Sequence, residues 1–575
     1  MGPECNGGME DVEANWGFTQ PLFEKAVRMA MHRNGDTDAR EIRETPPAVT
    51  DDSSRWATER EFIAGLSSAP IDSDEDIPAG GVPLAVVNGR VYFDAGDSHT
   101  ITYGITGSKK TFGVGVPACY LCSRAGESLF VSDSKGDILC ATAYDLVRHG
   151  YRIIVFDLRN PEHSARWNPL AFPYQLHKSE NQTDRDKAQK MLLNISEELS
   201  PVVGKDPYWD LSCQRIIYGL CNVLFNTCTD PEKINFSSLY SLKGSLMNQD
   251  VDLAFYLDSN YCTPAEHDSL MVSEGTSDIT RRCILGMFDR ALSPFTSMDM
   301  ITWLTSTSDF DFADLGREKT ALFVISPDEN SSFDFLVSMM ISQCYQSLVS
   351  LAQSSPDRRL SIRVNFILDE FGNLPMIKDM DRMITASRSR GMKFLLLLQD
   401  RSQLEHRYGK EMASTIMSNC GNIMYLNGRD LSLIRDLSMM AGTDASGKAI
   451  VSTSRLQRLD KEKGEVFILR DRMYPYISTL PFATAYSQFA ISEPELPSHT
   501  RIEVPVFDIE EDFDPFWKLN ASNGYHVHVE DVSGDGRETT ENDGRTTSND
   551  EELTDEQRAD MIDEILRMLS SDDDD

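Results

Sequence analysis

An α/β fold with a central parallel sheet, covered by helices on both faces, is predicted by two features of the sequence. First, six short apolar runs recur along the chain: Ser128–Val131, Arg152–Phe156, Thr320–Ile325, Val364–Leu368, Lys393–Leu398 and Asn422–Tyr425. Each is bounded by turn residues and none alternates cleanly between polar and apolar. Strands buried on both faces read this way, because neither side of the pleat meets water. Second, stretches of helical periodicity separate the runs, as crossovers between parallel strands require.

Taken in order, the first 80 residues are uneven. An amphipathic pattern surrounds Pro21–Met31, and a charged, Ser- and Asp-containing stretch covers Pro46–Asp76. They read as a loosely ordered acidic arm. Order begins at Leu84-Ala-Val-Val-Asn-Gly-Arg-Val-Tyr-Phe93, two apolar runs around Asn88-Gly89, which is a strong hairpin signal. Between Ala171 and Gly316 the strand signal stops, and helical patterns such as Asp186–Leu199 and Trp209–Leu224 remain. The expectation is an α/β domain at 81–175 and 316–492, interrupted by an all-α insertion at 176–315. From 493 to 575 the chain turns polar and acidic, Ser533–Asp550 is almost devoid of apolar side chains, and a mostly disordered tail is expected. One helical stripe returns at 554–570, where Met561, Ile565, Leu566 and Leu569 follow Thr554 as N-cap.

Charge and cysteine usage narrow the function. The 575 residues carry a formal charge of −36, which excludes an overall polycationic coat for nucleic acid and a basic membrane-surface protein. That charge is local: residues 1–95 carry a net −10, residues 491–575 a net −20, and the body between them only −6. Eleven cysteines scattered from Cys5 to Cys420 read as reduced thiols rather than a disulfide framework. Cys119 and Cys122 have CxxC spacing, but no second pair or histidine stands nearby, which favours a buried helical pair over a metal or redox site. No apolar run approaches 18 residues, so nothing in the chain is expected to span a membrane unaided.

The segment Gly104-Ile-Thr106-Gly107-Ser108-Lys109-Lys110-Thr111 follows the apolar Ile101-Thr-Tyr and precedes a helical pattern. Gly104, Gly107, Lys110 and Thr111 occupy the positions of GxxxxGK[ST]. In that pattern bare backbone N–H groups cradle phosphates, the lysine neutralises them and the hydroxyl serves Mg²⁺. The second motif glycine is Lys109, and a side chain there is expected to strain the loop or crowd the anion. Arg363-Val-Asn-Phe-Ile-Leu-Asp-Glu370 is an apolar strand ending in two carboxylates. Asp369 is placed to serve a metal-bound water and Glu370 to polarise an attacking one. The run Lys393–Leu398 ends in Gln399, an amide able to sense a γ-phosphate or orient water. In the turn before it, Arg388 is a candidate charge-stabilising finger, acting within the chain or across an interface, whereas Arg390 reads as a surface basic turn.

At this point the residues resemble a family. Asp369-Glu-Phe-Gly-Asn-Leu-Pro375, Ser387-Arg-Ser-Arg-Gly391, Leu398-Gln399-Asp-Arg-Ser-Gln-Leu404 and Ile416-Met-Ser-Asn-Cys-Gly421 are similar to the motor signature of the type IV secretion coupling proteins. These are the TraG/TraD-like conjugative DNA-transfer ATPases. Upstream, Asp133-Ser-Lys-Gly-Asp137 resembles that family's DPKGE segment, Trp167-Asn-Pro-Leu170 its NPL segment, and Asp206-Pro-Tyr-Trp-Asp210 the opening of its all-α domain. The resemblance covers roughly residues 100–490. It implies a RecA-like P-loop motor that assembles as a hexamer and hydrolyses ATP with Mg²⁺. It further implies coupling of a relaxase-bound single strand of DNA to a secretion channel. Position by position, it implies that Lys110 and Thr111 bind phosphate and Mg²⁺, that Asp369 joins the Mg²⁺ shell and that Glu370 is the catalytic base. Arg388 would be the finger onto a neighbouring subunit and Gln399 the γ-phosphate sensor. The chain departs from the pattern at Lys109 and in showing no pair of N-terminal transmembrane helices. The latter suggests a cytoplasmic protein recruited to the inner face of the membrane by a separate channel component.

The acidic tail would be repelled by DNA phosphates and reads as a protein-binding arm, with Met561, Ile565 and Leu569 as anchors at one-turn spacing. Two alternatives stand beside the DNA motor. One is a scaffold of the same fold that recruits substrate without hydrolysis, favoured by Lys109. The other is a motor whose cargo is an effector protein.

Overall fold

Apolar β-branched and aromatic runs pair where both of their faces can be buried, and the central sheet is built on that rule. The computed structural model describes residues 53–513, apart from 203–205, 248–255, 258–261, 275–276, 328–332, 495, 497 and 500–502. After β1 (Ser67–Pro70), the hairpin strands β2 (Val82–Val87) and β3 (Arg90–Asp94) flank Asn88 and Gly89. Both turn residues have positive φ, 50° and 73°, as a tight turn of this twist demands. Next come β4 (Thr100–Gly104), β5 (Ser128–Ser132), β6 (Arg152–Asp157), β7 (Thr320–Ile325), β8 (Val364–Leu368), β9 (Met392–Leu398) and β10 (Asn422–Asn427). Six of these seven are the apolar runs of the sequence. They form one sheet in the order β10-β4-β9-β8-β5-β7-β6, parallel throughout. The antiparallel strands β11 (Glu465–Arg470) and β12 (Tyr476–Thr479) extend it beyond β10.

Successive residues of each strand enter different cores. Leu129, Val131, Ile367, Leu395 and Leu397 join one apolar cluster with the helices Val116–Arg124 and Asp137–Arg148. Phe130, Phe366, Leu368, Phe394 and Leu396 join another. Phe130, Phe366 and Phe394 stack across β5, β8 and β9 with centroids 5.2 and 4.7 Å apart. Among its described residues, the stretch from Ala171 to Arg317 holds helices and no strand. Its central helix, Tyr208–Thr227, packs on Gln182–Leu199, Pro264–Glu274 and Asp278–Leu292. Gly219 allows the closest of these approaches, since a Cβ there would lie 2.7 Å from Leu270. Its apolar residues run into the second cluster without a break. Cys119 and Cys122 sit buried on the helix Val116–Arg124 as free thiols, and burial pushes both thiol pKa values up. Asp334–Ser354 is the one described helix long and apolar enough to cross a membrane, and 67% of its apolar window is buried inside the protein.

Two expectations about the ends are corrected. Residues 53–80, expected to be part of a loose arm, are built into the fold. β1 pairs with β3, Phe62 is fully buried and stacks on Tyr476 at 4.3 Å, and Thr58 and Glu61 form a capping box. The charged stretch is tolerated because its backbone carbonyls meet Arg124, which is 2% exposed and donates to Glu75 O (2.8 Å) and Pro70 O (3.1 Å). The start of the expected tail is also docked. Phe507 and Ile509 are fully buried against the helical segment, Phe507 N donates to Ser238 Oγ (2.9 Å), and Lys233 pairs with Asp512 at 2.6 Å. Composition over a long window concealed these few apolar anchors. The patterns at Pro21–Met31, Ser533–Asp550 and 554–570 lie outside the described residues.

Candidate nucleotide site

β4 ends at Gly104, and the chain turns through 105–109 before helical backbone resumes at Lys110, leading into Val116–Arg124. Gly104 must lack a side chain, because a Cβ there would stand 2.4 Å from Ser108 Oγ. Thr106 and Gly107 are exposed at the tip, and Gly107 has φ +74°. Lys109 is left-handed as well, at φ 70°. It therefore takes the backbone conformation that the motif glycine permits, at a steric cost of roughly 1–2 kcal/mol. Its ammonium stands 3.7 Å above the Phe482 ring and 3.7 Å from Glu462.

The parallel order brings the remaining groups to the same edge, where ligands gather in open α/β sheets. β9 lies between β4 and β8, so Gln399 stands between the loop and the strand-end carboxylates. Lys110 is buried; its Nζ donates to Gly104 O (2.5 Å) and faces Glu370 Oε1 at 3.7 Å. Thr111 Oγ1 donates to Asp369 Oδ2 at 2.8 Å across 258 residues of chain. Gln399 Nε2 donates to Glu370 Oε2 at 3.2 Å. Glu370 itself is at φ 48°, with its N–H on Asp369 Oδ1 and its carbonyl on Asn373 N. Burial raises the Asp369 carboxyl to about 6 against the pull of its Thr111 bond. A buried carboxylate beside a hydroxyl is an all-oxygen donor pair suited to a hard divalent cation such as Mg²⁺.

Asp133, given no role from sequence alone, belongs to the same edge. It follows β5, is 1% exposed, and its Oδ2 accepts Ile138 N (2.8 Å) and Leu139 N (2.9 Å) at the start of Asp137–Arg148. Burial, with Asp369 close by, lifts its carboxyl to about 7. The signal was available, since Asp133 ends an apolar run just as Asp369 does. Arg388, by contrast, is not brought to this edge. It lies in the turn that enters β9, at the opposite end of the sheet, and its Nη2 donates to Asn419 O at 2.7 Å. Arg390 holds the same turn through Ala386 O at 2.6 Å, in line with its reading as a basic turn.

A glycine-containing loop with a buried lysine, a hydroxyl bonded to a strand-end acid and an amide on the intervening strand, gathered at one end of a parallel sheet, form the layout of a RecA-like P-loop fold. The chain matches the family model described as Type IV secretory system Conjugative DNA transfer over residues 53–463, and it belongs to that family. It is 23% identical over 435 residues to the conjugal transfer protein TraG of Escherichia coli, covering 70% of this chain and 66% of that one. It is 19% identical over 414 residues to the coupling protein VirD4 of Bartonella henselae, covering 71% and 62%. The chain thus spans slightly under two thirds of these relatives' length. Among solved structures, the plasmid coupling protein TrwB with the ATP analogue ADPNP superposes with a TM-score of 0.58 at 16% identity, over 80% of this chain and 99% of that one. TrwB with ADP and Mg²⁺ gives 0.53 at 15% identity, over 78% and 100%.

Proposed function

We propose that the protein is an ATP-driven coupling protein. It recruits a relaxase-bound single strand of DNA, works as a homo-hexamer, and delivers that strand to a type IV secretion channel, docked through a membrane component at the inner face of the membrane. The observation that carries this reading is the Thr111–Asp369 hydrogen bond beside Lys110 and Glu370, which joins the loop to the strand-end acids. TrwB structures with ADPNP and with ADP and Mg²⁺ support ATP and Mg²⁺ as the cofactors. The family supports a DNA cargo, and the near-neutral body of the chain does not oppose one.

In this reading the N–H groups of 104–111 and the Lys110 ammonium hold the β- and γ-phosphates. Thr111 and Asp369 would hold Mg²⁺, which when bound supplies neutralisation of charge between those phosphates. Glu370, steadied by Gln399, accepts the proton of the attacking water. The left-handed backbone at Lys109 sends its side chain toward Phe482 and Glu462, away from the cradle. That placement favours the motor over the non-hydrolysing scaffold. ATP turnover by the purified full chain, with and without single-stranded DNA, is the test. DNA-stimulated turnover that falls at least about 100-fold in Glu370→Gln, with nucleotide binding retained, is expected. Absent turnover in the wild type, restored by Lys109→Gly, overturns it in favour of a scaffold.

A further inference from the structure

A second glutamine, Gln403, joins the two strand ends on which the proposed hydrolysis depends. It stands in the first turn of the helix Arg401–Ser418, where the side chain of the N-cap Asp400 accepts its N–H at 3.0 Å. A glutamine at this third helical position ordinarily turns back to the N-cap backbone. Here it reaches one residue further: Oε1 accepts the N–H of Gln399 at 3.2 Å, and Nε2 donates to Asn373 Oδ1 at 3.2 Å. The N–H of Gln399 fixes Oε1 as the acceptor, which leaves Nε2 to donate. Asn373 in turn donates its N–H to Glu370 O at 2.8 Å, closing the turn that carries Glu370. Glu370 holds φ 48°, a conformation that a residue with a Cβ keeps only where its surroundings fix it. Gly372 lets the turn come this close, since a Cβ there would stand 2.6 Å from Gln403 Oε1 and 2.8 Å from Gln403 Cβ.

We propose that Gln403 is a positioning residue for hydrolysis. Its one carboxamide fixes the backbone of Gln399 against the turn that follows Glu370, and so holds the Glu370 carboxylate where Gln399 Nε2 meets it at 3.2 Å. This rests on the reading of Glu370 as the base. Without the clamp, the left-handed turn is free to relax and carries the carboxylate away from the amide that steadies it. Both amide bonds of Gln403 fall on the acid side of the site, beside β8 and β9, whereas the phosphates belong to the loop after β4. Its loss should therefore slow the chemical step and spare nucleotide affinity. A residue that only capped its helix would change stability and leave that balance untouched.

The test compares Gln403→Met, which keeps the length of the side chain and removes both bonds, with Gly372→Ala, which keeps every bonding group and pushes against the amide. In both, kcat for ATP turnover by the full chain should fall about 10- to 100-fold, as loss of a supporting contact at an active site does. KM, and the ADPNP affinity measured by calorimetry with Mg²⁺, should stay within about twofold. In the Glu370→Gln background, Gln403→Met should cost less than about twofold more, because its effect passes through that carboxylate. Hydrogen exchange of the nucleotide-free chain gives a readout independent of turnover. Peptides covering 370–379 and 398–403 should exchange faster in Gln403→Met, with the β5 peptide unchanged. A kcat within about twofold of wild type in either variant, a parallel loss of ADPNP affinity, full additivity with Glu370→Gln, or quickened exchange in β5 as well overturns the inference and leaves Gln403 a helix cap. Undiminished turnover in Glu370→Gln, or none in the wild type, overturns the reading of that acid as the base, and this inference with it.

Discussion

His99 shows how a single side chain holds the sheet to the turn that carries Arg388. It is fully buried immediately before β4; its Nδ1 accepts the N–H of Phe394 at 3.0 Å, which leaves Nε2 to face Ser387 Oγ at 3.1 Å. Both contacts suit the neutral ring, with the proton on Nε2 assigned from these bonds. Burial first, and the nearby Arg388 second, depress its pKa to about 3. Because the unfolded chain takes up this proton near pH 6.5 and the folded chain does not, the contribution is present above pH 6.5. It is lost as pH falls toward 3. It amounts to several kcal/mol, roughly 1.4 for each pH unit of the window. His99→Asn keeps an acceptor for Phe394 and cannot titrate. Urea melts of both proteins between pH 7.5 and 4.5 should show the wild type's advantage shrinking as pH falls; parallel curves would refute the neutral buried imidazole.

Among the elements, the docked segment 503–513 carries a stability prediction of its own. Phe507 is fully enclosed by the helical segment, whereas its neighbour Val506 is 40% exposed. Phe507→Ala is expected to cost about 3–5 kcal/mol, against within about 0.5 kcal/mol for Val506→Ala. Chemical denaturation of the two variants checks this, and equal midpoints would show that the segment contributes nothing to the core. The strands make a related point. β8 and β9 are buried along their length because both faces are covered; each holds one polar residue near its start, Asn365 and Lys393, and the polar groups of the site begin one residue past their ends, at Asp369 and Gln399. The edge that carries the chemistry is thus set by where each run stops.

For the whole molecule, the position of Arg388 decides how a finger could work. It enters β9 at one end and Gln399 leaves at the other, about 20 Å apart for a seven-residue strand. Arg388 therefore cannot serve the loop of its own chain without unmaking the sheet. Its use as a finger requires a second copy. Mixing Glu370→Gln with Arg388→Ala protein should give ATPase activity above the sum of the two alone, because an intact Arg388 then faces an intact Glu370 across an interface. No recovery would place the finger function elsewhere. The charge distribution agrees with an assembly built on the body, since about five sixths of the net negative charge lies in the two ends.

The sequence by itself determined what depends on local pattern. It marked six of the seven parallel strands, the Asn88-Gly89 hairpin, the glycine-containing turn after β4, and the acids and amide at strand ends, since each is written in a few adjacent residues. Only the tertiary structure decided what depends on distant partners. The order β4-β9-β8 puts Gln399 between loop and carboxylates, and the meeting of Thr111 with Asp369 needs 258 residues of intervening chain. Asp133 joins the site because β5 pairs with β8, and Arg388 leaves it because strands have two ends. Residues 53–80 and 503–513 are ordered by partners remote in sequence, which no window of composition can see. Lys109 is the sharpest case. Its identity predicted a crowded loop, and the sign of one backbone dihedral directs it instead onto Phe482, 373 residues further along.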